Sequence, residues 1–175
     1  MQPAKTGVRL DSPSDQRVAA VLVRAGQLAA AAVLALSILD WLGWATGVDV
    51  LTRIHPAWPP MTPWAALWLA GLAVAILAQS GTPSPGRIWA GRAIAMLVVV
   101  TTLMVIAEYA TGLTLDIDDV WFGQTVRAMH AEWPGRPAAS AEMATLLLAT
   151  AVAISHVEQR AIRAIWLACL AVGAA

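Results

Sequence analysis

The stretch from Ile88 to Ala110, IWAGRAIAMLVVVTTLMVIAEYA, decides the fold class. It is almost entirely apolar, and a helix of about 20 residues suffices to cross the roughly 30 Å hydrocarbon core of a bilayer. Its apolar residues are continuous rather than alternating, which favours a helix over a strand of a membrane barrel. We therefore predict a transmembrane helix here.

Three further stretches have the same character, namely Val18–Asp40 (VAAVLVRAGQLAAAAVLALSILD), Pro63–Gln79 (PWAALWLAGLAVAILAQ) and Ser140–Ser155 (SAEMATLLLATAVAIS). The whole chain of 175 residues is 59% apolar and 13% charged, with a mean hydropathy of +0.67. A soluble domain is about 45–50% apolar and about 25% charged, so this composition excludes disorder and nearly excludes an ordinary soluble globule. We predict an all-α integral membrane helical bundle with four transmembrane helices, arranged as two parallel helical hairpins.

The predicted organisation has three parts. Residues 1–17 form a cytoplasmic tail, and residues 18–157 form the transmembrane domain, whose repeats cover about 18–80 and 88–157. Residues 158–175 begin a partial fifth helix, whose apolar part after Arg163 (AIWLACLAVGAA) would rise only about 18 Å. We expect that this helix is truncated, and a short helix lying at the membrane interface is the alternative.

The distribution of basic residues predicts the orientation. If the N-terminus is cytoplasmic, eight of the eleven basic residues lie inside: Lys5, Arg9, Arg17, Arg24, Arg87, Arg92, Arg160 and Arg163. Cytoplasmic loops carry an excess of Lys and Arg, and tryptophans collect at the membrane interfaces. Six of the nine tryptophans lie at the outer side in this orientation: Trp41, Trp44, Trp58, Trp64, Trp121 and Trp133. We expect a multi-pass protein of the bacterial inner membrane.

A short pattern occurs twice at the same point of the topology. The first outgoing helix ends in Trp44-Ala-Thr-Gly47, and the third helix ends 65 positions later in Tyr109-Ala-Thr-Gly112. Each glycine is suited to end its helix in the left-handed conformation. The two copies run in the same direction, so a pseudo-symmetry axis along the membrane normal is expected.

The second outer loop is predicted to contain an amphipathic helix over 117–132, capped by Asp116. Its polar residues form a candidate cation site of carboxylate oxygens and one imidazole: Asp116, Asp118, Asp119, His130 and Glu132. Their spacing matches no metal motif, so solvated acids on a capped surface helix are the alternative. No cofactor is expected. A haem at His156 would need a second histidine at a similar depth, and the sequence has none.

Asp40 and Glu108 form a second candidate site, because each lies at the outer end of an outgoing helix. Ionisable residues within membrane spans are costly and usually functional. The sequence leaves two interpretations open. The carboxylates are sensing groups that face a cavity between the helices, or they are interfacial groups bonded to water or backbone. A face of small residues around Ala29 and Ala30 is suited to close helix packing. We expect the lipid bilayer and a second copy in a homo-oligomer, most simply a dimer, as partners, and no nucleic acid.

The loop and helix-end motifs resemble those of the multi-pass N-terminal input regions of bacterial membrane sensor histidine kinases and diguanylate cyclases. The residues that carry this resemblance are Trp44–Gly47, Met61–Leu67 with Gly71-Leu72, Tyr109–Gly112, Leu115–Phe122 and Pro134-Gly135-Arg136. The resemblance implies further helices after Ala175, followed by cytoplasmic PAS, kinase or GGDEF modules. It implies no catalytic residue within this chain.

The preferred hypothesis is therefore a membrane-embedded sensory or anchoring module of a signal-transduction protein, such as a two-component system. The chain contains no nucleophile–base pair, phosphate-binding glycine loop or HExxH motif, so nothing points to an enzyme within it. The alternatives are a small oligomeric transporter or channel, with Asp40 or Glu108 as the coupling carboxylate, and an assembly subunit of a membrane complex.

Overall fold

The computed structural model describes residues 13–53, 55, 58–112, 120–127 and 135–155, and no strand occurs within these ranges. The six helices there are α1 (Pro13–Thr46), α2 (Asp49–Thr52), α3 (Pro63–Gln79), α4 (Pro85–Thr111), α5 (Gly123–Arg127) and α6 (Ala139–Ile154). The predicted all-α class is confirmed for this part of the chain.

The four main helices are two long ones, α1 and α4, and two short ones, α3 and α6. Within α1 and α4, the segments Ser14–Thr46 and Pro85–Thr111 are long and apolar enough to cross a membrane. The apolar helices α3 and α6 have 17 and 16 residues, which corresponds to about 26 and 24 Å. By length and composition the structure therefore supports two spans, and the prediction of four is not confirmed.

The helix ends follow local sequence signals. At the start of α3, the Thr62 hydroxyl accepts a hydrogen bond from the Ala65 amide at 3.4 Å, and Pro63 is the first helical residue. Gly112 ends α4 with a φ of 69°, and Gly47 has a φ of 71° after α1. The prediction that these two glycines end their helices is confirmed.

Two predicted segments differ from the structure. Helix α1 begins at Pro13 rather than Val18, because the polar turn that follows includes Asp15, whose charge is favourable at a helix N-terminus. The helix predicted over 117–132 is wrong as one continuous element. Residues 120–122 form a turn, Phe122 has a φ of 56°, and only Gly123–Arg127 is helical. A left-handed residue interrupts a helix.

The core is formed by three of the helices. Helix α3 packs on α1, α4 and α6, and α4 packs on α6. The buried core cluster comes from α3, α4 and α6 only: Trp64, Trp68, Leu72, Ala75, Ala95, Val98, Val105, Ala149, Val152 and Ala153. Trp68 is 2% exposed and donates from its indole to the Thr101 hydroxyl at 3.0 Å. Helix α1 is thus attached to the side of a three-helix core.

Helix α1 contacts the rest of the molecule through one narrow stripe. Its buried residues are Ala30, Ser37, Asp40, Gly43 and Trp44, which recur at the spacings of one helix face. Most of the predicted small-residue face is exposed, and Ala30 is its only buried member. That face comprises Ala25, Gly26, Ala29, Ala30, Ala31 and Ala32, and the prediction that it packs closely against another helix stays a prediction.

Candidate functional site

The polar and aromatic groups of interest lie at the end of the bundle where α1 and α4 finish and α3 and α6 begin, which we call the aromatic end. Two hydrogen bonds there are equivalent. The Trp44 indole donates to the Met61 carbonyl and the Tyr109 hydroxyl donates to the Pro137 carbonyl, both at 2.9 Å. Each acceptor lies two residues before a returning helix. The repeated sequence pattern therefore forms a repeated contact that joins each long helix to its return.

Glu108 forms a buried ion pair with Arg136 in the second copy of this contact. The side chains are 1% and 2% exposed, and Arg136 Nη2 donates to Glu108 Oε2 at 3.0 Å. The Arg136 guanidinium also lies 5.0 Å from the centre of the Tyr109 ring, which is a cation–π geometry. The ion pair and the Tyr109 hydrogen bond together attach the 135–137 segment to the end of α4.

Asp40 is in a different situation, although it is almost as deeply buried. It is 2% exposed, and neither of its carboxylate oxygens has a hydrogen-bond partner within the described residues. The Trp44 indole, one turn further along α1, donates to the Met61 carbonyl and also lies near enough to the Asp40 carboxyl group to interact with it. Burying a charge is unfavourable unless the charge is paired, so a carboxylate at Asp40 would be stabilised by a ligand that supplies hydrogen-bond donors or a positive charge.

A cavity of about 390 Å³ borders Asp40. Its walls come from the second half of α1, from α2 with Arg53, and from the extended segment before α3. The lining residues are Leu36, Leu39, Asp40, Val50, Leu51, Thr52, Arg53, Trp58, Pro59 and Met61. Arg53 Nη2 lies 3.7 Å from Asp49 Oδ2, and the Asp49 side chain is 84% exposed. This cavity is apolar apart from one buried acid, Thr52 and a paired arginine.

Aromatic rings fill the space between α1, α3 and α5. Trp41 contacts Trp121 and Phe122 edge to face, with ring centres 5.2 and 5.3 Å apart. Phe122 stacks on Trp44 at 6.2 Å, and Trp64 lies 6.4 Å from Trp121. Such pairs contribute about 0.5–1.5 kcal/mol each beyond area burial. These tryptophans are packed against each other, whereas Trp58 is 59% exposed.

The structure tests only part of the predicted site. Asp116, Asp118, Asp119, His130 and Glu132 lie outside the described residues, so the predicted cation site stays a prediction. In the part of the chain that is described, no group of three or more His, Cys, Asp or Glu side chains could hold a metal ion.

The remaining candidates, Asp40 and Glu108, lie at the same end of the bundle, one at the edge of the cavity and the other in the ion pair. Sequence reasoning missed Arg136 and Glu142, which is fully buried in α6. The signal for Arg136 was the Pro-Gly-Arg motif at 134–136, which identified a turn but not a partner. Glu142 had no signal, because an acid in the first turn of a helix is ordinary on a solvated surface.

Comparison of the chain with models of protein families, with characterised proteins and with solved structures finds no match.

Proposed function

We propose that the chain is a membrane-embedded input module of a bacterial signalling protein, with four membrane-crossing helices and a cytoplasmic N-terminus. The observation that carries this proposal is the apolar surface of the helices. Large hydrophobic side chains are exposed on all four main helices, among them Leu28, Leu67, Leu97 and Leu147. A soluble protein rarely leaves such contiguous apolar area in water. Lipid around the bundle accounts for it.

The short helices are compatible with four spans. Helices α3 and α6 are roughly 4–6 Å shorter than a 30 Å hydrocarbon core. Mismatch of this kind costs fractions of a kcal/mol per Å, because the bilayer thins locally or flanking residues extend to the interface. Both helices pack against the longer α4, which would carry them into the membrane as part of one bundle.

Charge supports the proposed orientation. Arg17, Arg24, Arg87 and Arg92 lie in the first halves of α1 and α4, at the end opposite the aromatic end. At the aromatic end, the three described arginines, Arg53, Arg127 and Arg136, are outnumbered by four described acids, Asp40, Asp49, Glu108 and Glu142. The excess positive charge of the described residues is therefore at the far end, which the positive-inside rule assigns to the cytoplasm.

The attachment of α1 supports a role in signalling. Helix α1 is absent from the core cluster and contacts the other main helices chiefly through α3. It has 34 residues, so it extends about 51 Å. A change of packing at the aromatic end would move a rigid rod whose other end lies on the cytoplasmic side. Small helix shifts of this kind are a common switching motion.

Labelling of single cysteines in intact cells tests the topology. In a Cys169→Ala background, Thr82→Cys probes the α3–α4 link and Gln124→Cys probes α5, both at exposed positions. We expect a membrane-impermeant maleimide to label position 124 in intact cells and position 82 only after lysis. Labelling of both positions in intact cells, or recovery of the chain in the soluble fraction, would contradict the proposal.

A chimaera tests the signalling role. We would join the chain after Ser155, where the fourth proposed span returns to the cytoplasmic side, to the cytoplasmic part of a dimeric histidine kinase, with linkers that differ by one residue over one helical turn. We expect that in at least one register Asp40→Asn changes autophosphorylation, whereas the exposed matched control Asp49→Asn leaves it unchanged. Equal activity of all three proteins in every register would remove the basis for an input module.

Transport is the second candidate, because Asp40 is buried without a described partner beside a cavity. A coupling carboxylate would also need a path across the bundle, and the core between α3, α4 and α6 is filled with apolar side chains. Proton flux into proteoliposomes that is lost in Asp40→Asn would favour transport over signalling.

A further inference from the structure

The cavity beside Asp40 has the composition of a site for an amphiphile. Most of its walls are apolar, and they include Leu36, Leu39 and Val50, which are 61%, 44% and 76% exposed. The cavity is therefore continuous with the exposed apolar surface of α1. If that surface faces lipid, as we propose above, a molecule dissolved in the bilayer reaches the cavity from the side without crossing the protein.

The charges around the cavity select the head group of such a molecule. Arg53 also lines the cavity, and its Nη2 lies 3.7 Å from Oδ2 of the exposed Asp49. Neither oxygen of the Asp40 side chain has a hydrogen-bond partner within the described residues, so this carboxyl group is the acid in the cavity wall that a ligand could satisfy. A buried carboxylate requires a cation or several hydrogen-bond donors. A primary ammonium group supplies both, since it carries a positive charge and three N–H donors.

We propose that this cavity binds a single-chain amphiphile with a primary ammonium head group. The ammonium donates to the Asp40 carboxylate, and the alkyl chain lies against Leu36 and Leu39. The volume of about 390 Å³ is near the lower end of the roughly 300–1,000 Å³ of small-molecule sites, which suits one chain rather than a two-chain phospholipid. This inference rests on the proposed membrane insertion and does not require the signalling role.

Binding can be measured with three probes that share a chain length: dodecylammonium, dodecyltrimethylammonium and dodecanol. The full chain is reconstituted in phosphatidylcholine nanodiscs at pH 7, and tryptophan fluorescence is followed during the titration. Trp58 lines the cavity, so occupancy should change its emission. Partition into lipid gives a change linear in concentration, and a specific site gives a saturable one. We expect a saturable change with dodecylammonium only, because the quaternary head group has no N–H and the alcohol has no charge.

Three variants separate the site from its surroundings. Asp40→Asn removes the charge and keeps the shape, and we expect at least a tenfold loss of affinity, as typical for one charge-assisted hydrogen bond. Leu36→Trp fills the apolar part and keeps Asp40, and we expect a similar loss. Asp49→Asn changes an exposed acid near the cavity and should alter the affinity by less than about threefold, because exposed charges interact weakly.

The possible outcomes have different meanings. A saturable change for dodecylammonium that both Asp40→Asn and Leu36→Trp remove, and that Asp49→Asn keeps, supports the proposal. Saturable binding of dodecanol with equal affinity, binding that survives Asp40→Asn, or no saturable change in the reconstituted wild-type protein would each overturn it and leave the proposed function standing. A chain that does not enter the nanodisc would overturn the membrane proposal itself.

Discussion

The ends of α1 and α4 are two copies of one arrangement, and they treat a buried acid in opposite ways. Both helices finish in aromatic-Ala-Thr-Gly, and both aromatic residues donate to a carbonyl two residues before the returning helix. At the end of α4, Glu108 has Arg136 at 3.0 Å. At the end of α1, Asp40 has a cavity and no described hydrogen-bond partner. The end of α4 is therefore held by a buried ion pair in addition to the shared hydrogen bond, whereas the end of α1 has indole hydrogen bonds and a cavity beside its buried acid.

The two acids do not occupy equivalent positions of the repeat. With Trp44 matched to Tyr109, 65 positions apart, Glu108 corresponds to Gly43 and Asp40 corresponds to Val105. A side chain at Gly43 would collide with α2, whereas Val105 is fully buried in the core. The copies thus share their backbone contact but place their charges independently. This difference indicates that the ion pair at Glu108 and the cavity at Asp40 are not equivalent features of the repeat.

The largest predicted effect is loss of one partner of the ion pair. Arg136→Met leaves Glu108 buried without its cation, and we expect a loss of about 3–5 kcal/mol in the free energy of unfolding. Denaturant unfolding in detergent micelles, followed by circular dichroism, measures it. The double variant Glu108→Gln/Arg136→Met should recover most of the loss, because no uncompensated charge remains. A single variant as stable as the wild type would show that the pair does not fasten this end.

The same measurement on Asp40→Asn should show no loss in the free energy of unfolding. Asp40→Asn removes a buried carboxylate that lacks a described partner, so we expect stability to be equal or higher by about 1–3 kcal/mol. Exposed Asp49→Asn is the matched control and should shift stability by less than about 0.5 kcal/mol. Strong destabilisation by Asp40→Asn would mean that the two ends are alike after all, and that Asp40 is held by an essential contact.

Glycine substitutions test the close contact between α1 and α2. A Cβ at Gly43 would lie 2.7 Å from Thr52 Cγ2 and 2.8 Å from Leu51 Cβ. We therefore expect Gly43→Ala to cost about 1–3 kcal/mol by overpacking. Gly26→Ala on the same helix meets nothing within 4 Å, and it should be neutral or stabilising by up to about 1 kcal/mol. Thermal unfolding of both variants in the same detergent gives the comparison, and equal stability would contradict it.

The smallest effect concerns the repeated hydrogen bond itself. Tyr109→Phe removes the donor to Pro137 and keeps the ring beside Arg136, so we expect a loss of about 1 kcal/mol. Trp58→Phe, at an exposed position, controls for a general effect of aromatic substitution and should leave the free energy of unfolding nearly unchanged. If Tyr109→Phe is as stable as the wild type, the hydrogen bond from Tyr109 to Pro137 makes no net contribution to the stability of the fold.

Much of the local structure could be predicted, because its causes are local. The Thr62-Pro63 start of α3 and the glycine ends at Gly47 and Gly112 depend on residues within one turn. The pairing of Glu108 with Arg136 could not be predicted, because the two residues are 28 positions apart. The periodicity of a helix in lipid is also a weak guide to its packing face, since apolar residues occur all around it. For that reason the small-residue face around Ala29 did not show which side of α1 packs against α3.

The amino-acid sequence by itself determined the all-helical class of the described residues and two helices that are long and apolar enough to cross a membrane. It also determined local boundaries, such as the start of α3 at Pro63 and the glycines that follow α1 and α4, since turn chemistry acts over a few residues. Tertiary structure alone decided which acid is paired, which acid borders a cavity, and which three helices make the core. Those outcomes depend on where the segments before α3 and α6 pack against the ends of α1 and α4. Interactions between near neighbours in the chain do not determine that packing.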